Sequence, residues 1–212
     1  MQKAHALSQY NKLIEIIENS GFEVDRVEKL KKLYEIFKQR VIEAPASGKI
    51  HYHNAYEGGY IDHIHNVIEC AKYTTALFKK MGASIDYTQQ ELIFSAMHHD
   101  LGKIGDFDEP YYIPQESDWH RKNQGEMFKQ NPKIQFMSVP DRALWLLNKF
   151  EISCTMAETL GIKLADGMYD DSNSKYLKSY NAGHNMKTNL PYVIHMADHT
   201  SSIVENGRTE PV

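Results

Sequence analysis

The sequence has few cysteines, no long apolar run and no excess of positive charge. Its two cysteines, Cys70 and Cys154, are too few for a disulfide framework or a cysteine-based zinc site, so we expect a reducing, cytoplasmic environment. No apolar run approaches the roughly 20 residues that span a bilayer, and the N-terminus lacks the pattern of a secretory signal, so we expect no membrane partner. The net charge of −4 gives no general attraction to nucleic acid or anionic lipid.

Apolar residues at helical spacing are abundant. The 212 residues are 42% hydrophobic, which is enough for one domain with a sizeable core. Apolar positions recur every three or four residues in segments 8–20, 25–43, 60–81, 88–101, 140–150, 154–165 and 191–205. Thr88 and Glu91 form a capping-box pattern at the start of one segment. Because alternating β-branched runs are nearly absent, the predicted fold class is all-α.

Two segments interrupt the helices. Residues 103–138 carry Pro110, Pro114 and Pro132 and few periodic apolar positions. We predict a long loop there with a short helix near 122–130, and long loops are often functional. Residues 166–188 are polar and rich in turn-forming side chains.

The domain organisation follows from these segments. We predict an N-terminal helical arm, residues 1–43, packed on a main domain of residues 44–206, with a short tail at 207–212. The long 25–43 helix could serve a contact in a homodimer.

The eleven histidines are notable for where they fall. Residues 98–103 read His-His-Asp-Leu-Gly-Lys and close an apolar helix. Adjacent His99 and Asp100 can turn toward one ion because the chain leaves helical geometry there, and Gly102 permits a close turn. Lys103 then lies beside the ion, where it could meet a phosphate oxygen.

Two distant helices add ligand-type residues to this segment. His63 lies one position from an apolar stripe on the 60–81 helix, and Asp198 follows Met196 and Ala197 on the last helix. An aspartate in such surroundings is costly to bury unless it is paired or binds metal. Imidazoles and carboxylates together suit a six-coordinate divalent transition ion with positions open to water.

The order and spacing of His63, His99-Asp100 and Asp198 resemble those of the HD superfamily of metal-dependent phosphohydrolases. The resemblance spans roughly residues 44–205. Residues 44–47 read Ala-Pro-Ala-Ser, and residues 51–63 read His-Tyr-His-Asn-Ala-Tyr-Glu-Gly-Gly-Tyr-Ile-Asp-His. This stretch is similar to the beginning of one HD branch, which includes bacterial 3′-to-5′ exoribonucleases and bacteriophage proteins. The resemblance implies an HD-domain helical bundle.

The resemblance also implies a ligand set. His63, His99, Asp100 and Asp198 correspond to the four metal ligands, and Lys103 corresponds to the lysine that commonly follows the His-Asp pair. The ion is a divalent transition metal, and manganese, nickel, cobalt, iron and zinc all accept such ligands.

One departure bears on the number of ions. HD proteins with two or three metals usually carry further histidines where residues 164–168 read Leu-Ala-Asp-Gly-Met. Ala165 replaces the strongest donor of a second site, so we favour one metal ion. Asp166 could still bridge to a second ion, with a contribution from His120.

We expect hydrolysis of a phosphate ester or anhydride. Asp100 is the economical candidate to deprotonate the attacking water, with Asp106 or Asp108 as alternates. Lys103 neutralises charge on the phosphoryl oxygens. The substrate is a small phosphorylated molecule, and by analogy with small HD proteins we expect a nucleotide. Candidate substrate contacts beyond Lys103 are Tyr112, Trp119, His120, Arg121 and Lys122, because aromatic and basic side chains can stack a base and hold phosphates.

Two alternatives remain open. A 3′-to-5′ nuclease is disfavoured because the chain has no room for a separate nucleic-acid-binding domain and no basic footprint. A non-catalytic module with a structural metal would not need Lys103. Among the other histidines, we expect His98 to pack in the core, while His195 and the 51–53 pair could line the pocket or only support it.

Overall fold

The computed structural model describes residues 2–178, Gly183 and residues 185–211, and this part of the chain is predominantly helical. The helices are α1 (Gln2–Asn19), α2 (Val24–Ile36), α3 (Lys38–Glu43), α4 (Gly59–Lys80), α5 (Gln89–His98), α6 (Asp118–Gln124), α7 (Val139–Lys149), α8 (Met156–Lys163), α9 (Ser174–Leu177) and α10 (Leu190–Val204). Short 3₁₀ turns span Leu101–Ile104, Gly167–Tyr169 and Asp171–Asn173. The predominance of helix agrees with the all-α prediction. Within the described ranges, no helix is long and apolar enough to cross a membrane.

Helix α4 lies at the centre of the fold. It packs against α1, α5 and α10, and α10 also packs against α5 and α8. Its buried apolar residues, Ile61, Ile64, Val67, Ile68 and Ala71, follow the three- and four-residue spacing of the sequence pattern. Three helices that are far apart in sequence therefore share one core.

Helix α1 joins the same core. Tyr10, Leu13 and Ile17 are buried on its inner face, and His5 Nε2 lies 2.7 Å from Asp62 Oδ1 of α4. The predicted division of the chain at residue 44 stays a prediction.

Two predictions of helix extent were wrong. The 25–43 helix is divided into α2 and α3 at Phe37, whose backbone has φ −96° and ψ 9°. The Phe37 ring is buried and packs against Phe107 and Phe150, with centroids 5.4 and 6.1 Å away. The helix expected near 122–130 instead spans Asp118–Gln124. Ser117 caps its start and Gly125, in the left-handed region, ends it.

A short hairpin was missed by the sequence pattern. Strand β1 (Tyr112–Pro114) pairs antiparallel with β2 (Phe128–Gln130), with Ile113 opposite Lys129, and α6 lies between the two strands in sequence. The amides of Met127 and Phe128 both donate to Gly48 O, at 2.9 and 3.0 Å. The hairpin is thereby fixed to the loop that precedes α4. Three-residue strands are too short for alternation to be visible in a sequence.

Candidate metal centre

Helix α4 supplies His63 to the candidate centre. The side chain is fully buried and lies one turn into the helix. Its Nδ1 donates to Glu205 Oε2 over 2.8 Å, and Asn66 Nδ2 donates to the other oxygen of Glu205. A metal ion would bind the neutral imidazole, in which this contact keeps the proton on Nδ1 and leaves the Nε2 lone pair free.

The end of α5 supplies His99 and Asp100. The helix ends at His98, and the chain tightens into the 3₁₀ turn Leu101–Ile104. A Cβ on Gly102 would lie 2.2 Å from Val139 O, so only glycine lets this turn approach α7 so closely. His99 Nδ1 donates to Ala96 O over 2.8 Å, which leaves His99 Nε2 as the second imidazole lone pair.

Asp198 of α10 completes the group. His63 Nε2 lies 3.1 Å from Asp198 Oδ1 and 3.6 Å from Asp100 Oδ2. His99 Nε2 lies 3.7 Å from Asp198 Oδ1 and 3.5 Å from Asp100 Oδ2. These separations match those between neighbouring ligands around a divalent ion with bonds of about 2.0–2.2 Å. The structure therefore brings together the four residues that the sequence proposed as ligands.

The buried atoms of this group suit a cation. His99 Nε2 is buried and has no hydrogen-bond partner among the described residues. Asp100 Oδ2 likewise makes no hydrogen bond of good geometry, although Lys103 Nζ lies 2.6 Å away. Lone pairs buried without a donor are unfavourable unless something fills the space between them. His63, His99 and Asp198 could hold a metal ion.

The charges around the site favour a cation as well. Burial alone would lower the pKa of His63, but the contacts to Asp198 and Glu205 outweigh it and raise the pKa to about 10. Burial would raise the pKa of Asp198, yet His63 and His99 hold it well below its usual value. The carboxylates are therefore ionised and create a strongly negative environment at the imidazoles.

Glu205 was not predicted from the sequence. It is fully buried at the end of α10, seven residues after Asp198 and so on the same helical face. That spacing was the available signal. A carboxylate that orients a metal-binding imidazole commonly increases ligand basicity.

A cavity of about 510 Å³ opens beside the four ligands. Lys103 and Tyr112 both line it, as the sequence proposed for substrate contacts. Burial tends to lower the pKa of Lys103, but the carboxylate of Asp100 more than compensates and raises it. The lysine is therefore charged beside the group. His53, with its ring centroid 4.7 Å from that of His63, lines the same cavity, and burial lowers its pKa to about 3.

Other predicted residues lie elsewhere. Trp119, His120, Arg121 and Lys122 lie on α6 and do not line this cavity; Trp119 is 58% exposed, and Arg121 Nη1 donates to Gln115 O. Asp106 accepts hydrogen bonds from the amides of Asp108 and Glu109 and is occupied within its own loop. The structure therefore places these residues away from the four ligands.

The remaining histidines divide between core and cavity. His98 is fully buried, donates from Nδ1 to Phe94 O over 2.7 Å and packs against the Phe94 ring at a tilt of 44°, which confirms its predicted core packing. His195 lines the cavity, with Nδ1 donating to Ala165 O. Asp166 also lines the cavity, whereas His120 does not, so the pair proposed for a second ion is not brought together there.

Comparison with known proteins adds no relative: no protein-family model, no curated protein and no solved structure matches this chain. The geometry of the site is therefore the basis on which a function can be proposed.

Proposed function

We propose that this protein is an HD-type metal-dependent phosphohydrolase that cleaves a phosphate ester or anhydride. The observation that carries the proposal is the convergence of His63, His99, Asp100 and Asp198, in which each imidazole Nε2 lies 3.1–3.7 Å from an oxygen of both aspartates, beside Lys103 and an open cavity. Their arrangement is that expected from the HD resemblance of residues 44–205.

His63, His99, Asp100 and Asp198 would hold the ion. A divalent cation at this position supplies Lewis acidity toward a phosphoryl oxygen and makes a water molecule more acidic. Glu205 and Ala96 O orient the two imidazoles so that each presents Nε2.

The remaining tasks fall to other side chains of the cavity. Lys103 binds a non-bridging phosphoryl oxygen and neutralises its charge. The carboxylate of Asp100 accepts the proton of the attacking water. Asp106 is not suited to that task because its Oδ1 already accepts two amide hydrogen bonds.

We expect the substrate to be a nucleotide. The volume of the cavity, about 510 Å³, is in the range of small-molecule sites. Tyr52 and Tyr169, which are 58% and 79% exposed, contribute flat faces at its rim. Lys103 is the one lysine or arginine among the described lining residues, which supports a small phosphorylated substrate over a long polyanion that needs a basic track.

A screen of metals against substrates tests the proposal. Purified protein is loaded separately with manganese, nickel, cobalt, iron or zinc and assayed on nucleoside mono-, di- and triphosphates. We expect hydrolysis of at least one of them, and Asp100→Ala should lose at least about 10³-fold in kcat and bind less metal. Asp25→Ala, which changes an exposed aspartate at the start of α2, is the control.

The outcomes separate the alternatives. Bound metal with no turnover on any substrate contradicts the proposal and favours a structural metal module. Cleavage of a labelled oligonucleotide that falls steeply with salt, without cleavage of free nucleotides, favours a nuclease.

A further inference from the structure

Three aromatic rings lie side by side on one wall of the cavity. His195 and His199 are one turn apart on α10, with ring centroids 6.1 Å apart and ring planes inclined by 25°. The ring of Tyr169 lies 5.8 Å from that of His199, at 32°, and 6.3 Å from that of His195. All three residues line the same cavity as Lys103 and Asp198. We refer to Tyr169, His195 and His199 as the ring platform.

The platform faces the cavity and solvent instead of the hydrophobic core. The side chains of Tyr169 and His199 are exposed, and His195 is half-buried. A large aromatic ring that stays in water forgoes the free energy that its burial would contribute. Core packing therefore does not account for the position of Tyr169, whereas a ligand in the cavity could cover its ring.

The backbone that carries Tyr169 is held in place. Tyr169 ends a 3₁₀ turn, and its amide donates to Asp166 O over 3.0 Å. Gly167 of that turn has a φ of +54°, and a Cβ there would lie 2.4 Å from the His195 ring, so the turn touches α10 directly. The buried Asn173 Nδ2 donates to Gly167 O over 2.9 Å. Because the turn is fixed before a ligand arrives, little backbone entropy is lost when a ligand binds to the ring.

Stacked rings at the mouth of a cavity select planar ligands. Aromatic side chains bind nucleobases by stacking, and the interaction tolerates every base because each base has a π-face. A sugar phosphate or an inorganic polyphosphate has no planar ring to cover the platform. The cavity therefore combines a cation for a phosphoryl group, Lys103, with a wall for a planar group.

We infer that the ring platform is a base-binding subsite, in which the base of a nucleotide stacks on Tyr169 with His199 beside it. The inference rests on the proposed function, which assigns the phosphoryl group to Lys103. The subsite selects nucleotides over phosphates that have no base, and it distinguishes little between one base and another. Stacking is equally strong in the bound substrate and in the transition state, so its loss raises KM and leaves kcat nearly unchanged.

Pairs of substrates that differ only in the base test this subsite. A nucleoside 5′-monophosphate is compared with ribose 5-phosphate, and a nucleoside 5′-triphosphate with inorganic triphosphate, all with the preferred metal. For Tyr169→Ala we expect kcat/KM to fall about tenfold on the base-bearing member, through KM, and to change less than about twofold on the base-free member. Tyr169→Phe keeps the ring and should restore the preference for the base.

A binding measurement gives the same comparison without turnover. The metal-loaded protein is titrated by calorimetry with an α,β-methylene nucleoside diphosphate, whose phosphorus–carbon bridge resists hydrolysis. We expect a dissociation constant about tenfold higher for Tyr169→Ala than for wild type, with the metal content unchanged. Tyr176→Ala is the matched control, since Tyr176 is an exposed tyrosine of the same segment that does not line the cavity. Its affinity should equal that of wild type.

The outcomes separate this inference from the proposed function. Equal losses on both members of a pair would make Tyr169 a part of the cavity wall and overturn the inference. Unchanged kinetics and affinity in Tyr169→Ala would also overturn it, as would equal kcat/KM of wild type on the two members, while the proposed hydrolysis would stand. If wild type hydrolysed none of the substrates, the proposed function would fail. The calorimetric comparison would then decide the subsite alone, with a tenfold loss of affinity supporting it and no loss overturning it.

Discussion

The helical centre and the hairpin segment of this protein differ in how well their sequences predict where side chains lie. In the centre, α4, the end of α5 and α10 bring His63, His99, Asp100 and Asp198 within a few ångströms. In residues 105–138, the basic and aromatic residues of α6 lie outside the cavity, and of the residues proposed there Tyr112 lines it.

The contrast has a geometric origin. A helix fixes which residues share a face, so the position of a side chain relative to the core follows from sequence spacing. A loop gives no such rule, because its direction depends on contacts such as the two amides that donate to Gly48 O. Residue type together with helical spacing therefore predicted which side chains reach the site from the helices. Residue type without such spacing predicted this poorly for the loop.

The largest expected effect in this comparison concerns the positive charge of Lys103. Lys103→Met keeps most of the length of the side chain and removes its charge next to Asp100. We expect kcat to fall about 10²–10³-fold, since a fixed cation at a developing negative charge typically contributes that much. Steady-state kinetics measure the loss, and an unchanged kcat would remove Lys103 from the reaction.

The second prediction concerns the support of His63. Glu205→Gln retains the shape of the side chain that accepts from His63 Nδ1 but removes its charge. We expect metal affinity to fall about 10–100-fold, as for other residues that orient metal-binding histidines. Competition with a fluorescent chelator measures the dissociation constant of the metal ion. Glu210→Gln, near the C-terminus and exposed, is the control and should not change it.

Two aromatic variants, one from each group of side chains, compare residues that line the cavity with residues that lie outside it. Tyr112→Ala removes a ring that lines the cavity, and we expect kcat/KM to fall about tenfold. Trp119→Ala removes an exposed ring outside it, and we expect a change of less than about twofold. A large effect of Trp119→Ala would show that α6 reaches the substrate after all.

The smallest expected effect is on stability, at the start of α5. Burial would raise the pKa of Glu91, but hydrogen bonds from the Thr88 amide and from Thr155 Oγ1 outweigh it and lower the pKa. Glu91→Ala should cost about 1 kcal/mol at pH 7. Because the folded pKa is depressed, this stabilisation is present above the unfolded value near 4.5 and is lost as pH falls through the folded value.

Urea unfolding at pH 7 and at pH 3 measures this dependence. Glu91→Gln is the control, since glutamine serves in a capping box but does not titrate. It should retain the part of the stabilisation that does not depend on charge, and its stability relative to Glu91→Ala should be the same at pH 7 and at pH 3. A difference between Glu91→Ala and wild type that stays constant from pH 7 to pH 3 would show that the charge of Glu91 contributes nothing.

Much of the fold and part of the site could be predicted from sequence. Periodicity located the long helices, and the Thr88 capping box was found where expected, with Glu91 N donating to Thr88 Oγ1. The break at Phe37 could not be predicted, because residues 25–43 contain no glycine or proline that would mark it. Glu205 was missed because it contacts His63 and not the proposed ion, and its signal in the sequence was only a seven-residue spacing from Asp198. Long-range packing leaves little trace in local spacing.

His63 and Asp198 are 135 residues apart in the sequence, so an ion that they share would affect the thermal stability of the protein. A cation bound to both would act as a reversible cross-link that binds the folded chain and not the unfolded one. The free energy of unfolding then rises with the logarithm of the free metal concentration. The increase is about 2.7 kcal/mol when that concentration is a hundredfold above the dissociation constant. The melting temperature of this protein would therefore report the metal supply around it.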